Sequence, residues 1–176
     1  NVTLMDNASP CNVYAEAAIA SLRRHRISSV IINDRSTAYI VGTRFDNGEG
    51  GVEPGAAFPV EPVGFNGTER ERIEATLDEW RRTIRRLLDQ HVTVYYILPV
   101  PEVGWHVPRT LAKLIAHHGP PLTTSLPRYL QRNRLLFDLA KEFSSDNRFV
   151  PFFPHNVFCK DFTNRCYTHD DTEVFY

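Results

Sequence analysis

Charge of one sign is what this chain most plainly lacks. Twenty Lys and Arg stand against 21 Asp and Glu, a net charge of -1. That balance gives no electrostatic case for nucleic acid or an anionic membrane surface as a partner. Long apolar runs are also missing. The longest, residues 92–100, is interrupted by Thr93 and Pro99, well short of the roughly 18 residues that span a bilayer. Three cysteines are too few for a disulfide framework. No Gly-x-Ser-x-Gly elbow and no Gly-Asp-Ser occurs, so no nucleophile is marked by its turn. Gly48-Glu49-Gly50-Gly51 is glycine-rich but lacks the following helix that a phosphate site needs. The chain has no initiator Met and no signal peptide at Asn1, and its end, Val174-Phe175-Tyr176, is apolar. The expectation is a segment of something longer. The Asn-x-Ser/Thr sequons at Asn1, Asn7 and Asn66 read as chance matches, and no internal repeat is present.

What remains is an ordinary globular composition, 42% hydrophobic and 23% charged over 176 residues, enough for one domain with a sizeable core. Residues 12–24 predict a helix with Tyr14, Ala17, Ala18 and Leu22 on one face and a basic end at Arg23-Arg24-His25-Arg26. Val30-Ile31-Ile32 predicts a strand buried on both faces. Polar residues and the loop Asp46-Asn47-Gly48-Glu49-Gly50-Gly51 follow, and residues 54–67 predict a long irregular segment. Residues 68–90 give the strongest helix signal: Thr68 and Glu71 fit a capping box, and Ile73, Leu77, Trp80, Ile84, Leu87 and Leu88 recur at helical spacing. Arginines 81, 82, 85 and 86 fall on the other side, as a solvated face rather than a nucleic-acid patch. Residues 92–98 predict a second strand, 108–116 a short helix, 127–143 a helix with Leu130, Phe137, Ala140 and Phe143 inward, and 149–153 a third strand. Helices alternating with buried strands imply an α/β domain of three layers, α/β/α, with a short parallel sheet.

In such a sheet ligands collect beyond the carboxyl ends of the strands. Those ends deliver Asn33-Asp34-Arg35, Pro99-Val100-Pro101-Glu102 and Pro154-His155. Each has a plainer reading: a local Asp34–Arg35 ion pair, a loop carboxylate, a surface histidine. Ser36 lies near the rim with nothing local to activate it. Cys159 and Cys166 enclose a short polar loop and could bridge, leaving Cys11 without a mate; three free thiols are the alternative. His155, Cys159, Cys166 and His169 offer four residue types that zinc accepts, though the spacing departs from common zinc signatures.

Together these segments resemble the SGNH-type domain of bacterial acyltransferase-3 proteins, the O-antigen and exopolysaccharide O-acetylase class. The resemblance rests on the run from Val30 to Glu53 with Arg35, Tyr39, Gly42 and Phe45-Asp46-Asn47-Gly48-Glu49-Gly50-Gly51-Val52-Glu53. Further support comes from the strand and helix over residues 97–114, Arg132-Asn133-Arg134, and the P-x4-C-x6-C pattern of residues 154–166. It implies an SGNH-hydrolase-like, flavodoxin-like arrangement and a periplasmic domain tethered to the inner membrane by an acyltransferase-3 membrane domain of the same chain. The acceptor would be a glycan, with no cofactor and no metal. A Ser–His–Asp triad is implied too, but its Gly-Asp-Ser and Asp-x-x-His motifs are not in this sequence, so residues 1–176 read as one domain fragment lacking both. Asp170-Asp171 cannot replace the second motif, since no His follows at the right spacing. The family's Ala-Ala-Arg-Trp is here Asn33-Asp34-Arg35-Ser36: the Arg matches and the Trp does not. Arg35 and Asn33 are the implied oxyanion neighbourhood, and Asn47, Glu102 and His106 the substrate rim. The periplasmic setting implies a Cys159–Cys166 disulfide.

Overall fold

The structure, a computed structural model, describes the backbone of residues 2–3, 10–62, 64–170 and 172–175, and their side chains from residue 15 on. Cys11 and its pairing lie outside the described side chains. In chain order the elements are β1 (Val2–Thr3), α1 (Pro10–Arg24), β2 (Ser29–Asn33), α2 (Ser36–Val41), β3 (Val60–Glu61), α3 (Glu69–Asp89), β4 (Thr93–Ile97) and α4 (Val107–Ala116). They continue with β5 (Thr123–Ser125), α5 (Leu126–Arg132), α6 (Arg134–Glu142), β6 (Phe149–Phe152), α7 (His155–Phe158), β7 (Cys159–Lys160) and β8 (Arg165–Tyr167). Among the described residues no helix is long and apolar enough to cross a membrane.

The chain divides into two compact units. The first takes Asn1–Thr43, Ala57–Leu98 and Leu135–Phe152. Its sheet runs β2-β4-β6 with both pairings parallel, the short parallel sheet of an α/β fold. The central strand β4 is the best buried, with Val94 and Tyr96 fully inaccessible. Tyr96 stacks in a ring series with Trp80 at 6.1 Å and Phe149 at 6.0 Å, and Phe143 lies 5.3 Å from Phe149. Helix α3 begins where the sequence places it. The Glu71 amide donates to Thr68 Oγ1 at 3.4 Å and the Thr68 amide to Glu71 Oε2 at 2.7 Å, so two free amides at the helix start are satisfied reciprocally. Its inward face is Leu77, Ile84, Leu87 and Leu88, joined by the polar Arg72 and Thr76.

Three expectations need correction here. Strand β2 is not buried on both faces: among the described residues it is an edge of the sheet, and Ile31 is 70% exposed, in register with the exposed Tyr95 and Val150. A β-branched run marks a parallel strand without marking which strand is outermost. Residues 54–67 are not wholly irregular, because β3 lies within them and pairs in parallel with β1, burying Val60. The helix expected over 127–143 is two helices, α5 and α6, parted at Asn133. The Asn133 side chain donates back to the Tyr129 carbonyl at 2.9 Å, an amide competing with the helix ladder. The break rotates the buried face, so Tyr129, Leu136 and Leu139 are inward while Leu130 is exposed.

The second unit takes Arg44–Ala56, Pro99–Arg134 and Phe153–Tyr176. Val103, Val107, Leu111 and Leu122 form a small core, with Trp105 and Leu114 packed against it. Its sheet, β5-β8-β7, is antiparallel. Cys159 and Cys166 are direct register partners on β7 and β8 and are joined by a disulfide, with Cα atoms 3.8 Å apart. The bond removes both sulfurs from the zinc reading, since a metal ligand must be a free thiolate.

Candidate functional site

In the first unit, β2 ends at Asn33 and the chain turns into α2 within two residues. Asp34 makes that turn. Its Oδ1 accepts the Ser36 amide at 2.8 Å and the Ser36 hydroxyl, supplying the cap that Arg35 at the N-cap position does not. Burial pushes the Asp34 carboxyl above its usual range, and the hydrogen bonds from Ser36 pull the other way. Ser36 is buried, so its hydroxyl is committed to Asp34 rather than presented to solvent. Beneath them Tyr96, the register partner of Ile32, has its phenol raised by burial; Ser36 opposes the shift and the Asp34 charge adds to it. Asn33 and Arg35 are both exposed at this carboxyl edge. Helix α2 ends at Gly42, whose left-handed φ of 69° closes the turn and whose missing Cβ would stand 2.8 Å from that of Pro59.

In the second unit, the loop around Asn47 is built from the inside. Asn47 is 2% exposed. Its Oδ1 accepts the amides of Glu49 and Gly51 at 2.7 and 2.9 Å, and its Nδ2 donates to the Val103 carbonyl at 2.8 Å. The loop therefore rests directly on the chain segment after β4. Contact there is backbone on backbone: a Cβ on Gly104 would meet the Gly51 carbonyl oxygen at 2.3 Å, and one on Gly51 would enter the Trp105 ring.

Arginines hold the outer side of the loop. Arg128 Nε donates to the Asp46 carbonyl at 2.5 Å. Arg165 forks onto both Glu49 oxygens at 2.5 and 2.7 Å and also donates to Thr123, which holds the Glu49 carboxyl below its usual range. Glu102 pairs with Arg132, each side chain only 13% and 11% exposed, and the Arg132 guanidinium lies 5.4 Å from the Phe45 ring. His106 is exposed and caps α4, its Nδ1 accepting the Arg109 amide at 3.4 Å. His155 stands between Tyr129 at 5.4 Å and Phe153 at 5.8 Å, and burial lowers its pKa, opposed by Asp161.

Of the five residues expected around a site, Asn33 and Arg35 belong to the first unit and Asn47, Glu102 and His106 to the second. Asn47 organises the loop and donates to the carbonyl of Val103, the residue after Glu102, while Glu102 itself is held by Arg132. Arg128 and Arg165, which sequence reasoning passed over, anchor the same loop. Their signal was faint, because a lone arginine in a helix or strand looks like any solvated charge. Among the described residues no group of His, Cys, Asp and Glu is arranged to hold a metal ion.

Residues 2–176 match the family model described as SGNH domain, fused to AT3 domains. No curated protein and no solved structure matches the chain. The family match spans nearly the whole sequence, so this chain belongs to the family of SGNH domains fused to AT3 domains.

Proposed function

We propose that this domain takes part, in its parent protein, in moving an O-acyl group, in the simplest case acetyl, onto or off a cell-envelope glycan. It would work in the periplasm, tethered to the inner membrane through the acyltransferase-3 domain of the same chain. The observation that carries this reading is the family match across residues 2–176, with its fusion to AT3 domains. In the parent chain a serine from a Gly-Asp-Ser segment outside these residues attacks the acyl carbonyl. A histidine from the Asp-x-x-His segment takes the serine proton and later returns it to the leaving oxygen, and the aspartate orients the ring. The tetrahedral oxyanion needs donors fixed in advance. Arg35 and Asn33 are exposed at the carboxyl edge of a parallel strand, and a guanidinium presents five N–H donors in a planar fork.

A second reading, a non-catalytic glycan-binding or interaction module on the same fold, rests on the lack of a Gly-Asp-Ser and of an Asp-x-x-His within these residues. The test is hydrolysis of p-nitrophenyl acetate by the parent chain, with Arg35→Lys as the variant. Lysine keeps the charge and loses the fork, so kcat/KM should fall roughly tenfold or more with the melting temperature unchanged. A lowered melting temperature with intact turnover assigns Arg35 to the scaffold. No turnover by the wild-type parent chain favours the binding module.

A further inference from the structure

The first unit carries a cleft that the acyl-transfer reading does not use. It lies between α1 and α3, has a volume of 480 Å³, and is lined by Arg23, Arg82, Arg85 and Arg86 together with Glu16, Asp89 and Gln90. A smaller cleft of 260 Å³ adjoins it, sharing Arg23 and Gln90 and adding Arg26 and His91. This second cleft is bounded by Ile27 and Ser28 just before β2 and by Val92 just before β4. The pair therefore lies at the amino edge of the sheet, opposite the carboxyl edge where Asn33 and Arg35 stand.

The four arginines of the larger cleft are not equivalent. Arg86 forks onto Glu16 at 2.5 and 2.6 Å and so pins α1 to α3. Arg82 pairs with Glu79. Among the described residues the other two have no carboxylate in ion-pair reach. Arg23 donates to the Gln90 amide oxygen at 3.1 Å, and the Arg85 guanidinium lies 5.9 Å from the Phe143 ring. Two arginines from two helices thus line one concavity with no carboxylate in ion-pair reach among the described residues, and the Asp89 side chain lines it beside them. The arginine stripe of α3 is in part the wall of a cleft, not only a solvated face.

From this arrangement we propose that the α1–α3 cleft binds an acidic sugar segment, a polyhydroxylated chain bearing carboxylate or phosphate groups. Arg23 and Arg85 take the anionic group, because charge-assisted bonds from guanidinium to an oxyanion are the strong ones and the fork fits their geometry. The remaining lining decides for a sugar over a flat anionic membrane. The Asp89 carboxylate would be repelled by a lipid surface, yet as an acceptor beside the Gln90 amide it suits sugar hydroxyls, which both donate and accept. The size of the cleft is also that of a ligand pocket. The proposal stands independently of the acyl-transfer reading, since its residues are at the other edge of the sheet.

The test is calorimetric titration of the 176-residue protein with trigalacturonic acid, with neutral maltotriose and phosphatidylglycerol vesicles as the other two arms. The expected result is saturable binding of trigalacturonate that weakens at high salt, with neither maltotriose nor vesicles bound. Arg23→Gln and Arg85→Gln should each weaken it about tenfold, whereas Arg109→Gln on α4 removes the same charge elsewhere and should leave it unchanged. Amide shift changes in the wild-type protein should fall on α1 and the second half of α3, a readout that needs no variant to fold. Absence of saturable binding, equal binding of maltotriose, or binding of vesicles alone would each overturn the proposal. So would shift changes confined to another part of the protein.

Discussion

Arg72 is the charged residue whose removal the fold should tolerate least. It is 4% exposed in the first turn of α3. Its Nη1 donates to the Val60 carbonyl and its Nη2 to the Ile40 carbonyl, both at 2.7 Å, while Glu69 accepts from Nε at 2.9 Å. One guanidinium therefore ties β3 and the end of α2 to α3, and α2 begins one residue after Arg35. Arg72→Met keeps the apolar stem and deletes the donors. Two hydrogen bonds from a charged group are worth about 1.5–3 kcal/mol each. Two effects reduce that loss: Thr76 Oγ1 still donates to the Val60 carbonyl at 3.1 Å, and the guanidinium no longer has to be desolvated. The Glu69 pair adds little, because Glu69 is 63% exposed. The net cost should be roughly 2–4 kcal/mol, a fall in Tm of about 5–15 °C for a chain of this size. Urea and thermal unfolding followed by circular dichroism measure it, and hydrogen exchange should locate the loosening at Ile40 and Val60. A variant within about 0.5 kcal/mol of wild type, the range of ordinary surface changes, would refute this account of the buried arginine.

Two further predictions concern the disulfide and Asp34. Closing a loop with a sequence separation of 7 stabilises by roughly 2–3 kcal/mol in the chain-entropy view, so Cys159→Ser with Cys166→Ser should lower the unfolding midpoint accordingly. Because Arg165 adjoins Cys166 and grips Glu49, exchange at Glu49 and Gly51 should also rise; unchanged exchange there would mean that the hairpin does not hold the loop. Burial raises the Asp34 pKa, so the folded state binds this proton more tightly than the unfolded chain does. The resulting stability is complete below the ordinary aspartate value and is lost as pH rises through the folded value. Asp34→Asn keeps the acceptor that caps α2 and removes the buried charge, so it should match or exceed wild type at neutral pH, while Asp34→Ala should cost about 1 kcal/mol. If Asn proves as damaging as Ala, the carboxylate charge itself is needed at the turn.

Much of the scaffold was legible because the relevant signals are local. The Thr68–Glu71 box and the 3.6-residue recurrence of Leu77, Ile84 and Leu88 define α3 within a few residues. Thr93 to Ile97 is apolar enough to be central, and the short polar loop between Cys159 and Cys166 admits a bridge. The remainder depends on contacts distant in sequence. Six residues are too few for periodicity, so the α2 sequence reads as loop, although Asp34 two residues before Ser36 is a capping signal. β3, and the pairing of β5 with β8, join residues far apart in sequence. Arg72 resembles its solvated neighbours until the Ile40 and Val60 carbonyls arrive above it. Ile31 carries the same composition in an edge strand as in a central one. Around the candidate site, Asn47 reads in the sequence as one residue of a glycine-rich loop, because its burial and its grip on Val103 depend on a segment 56 residues away.

The most direct test of the acyl-transfer reading is to incubate the purified parent chain with an acetyl donor and the proposed acceptor, a cell-envelope glycan, following the glycan by mass spectrometry and NMR. The account predicts gain or loss of O-linked acetyl that requires this domain and disappears when residues 2–176 are deleted from the parent. An acetylation pattern that is the same with and without the domain would contradict it.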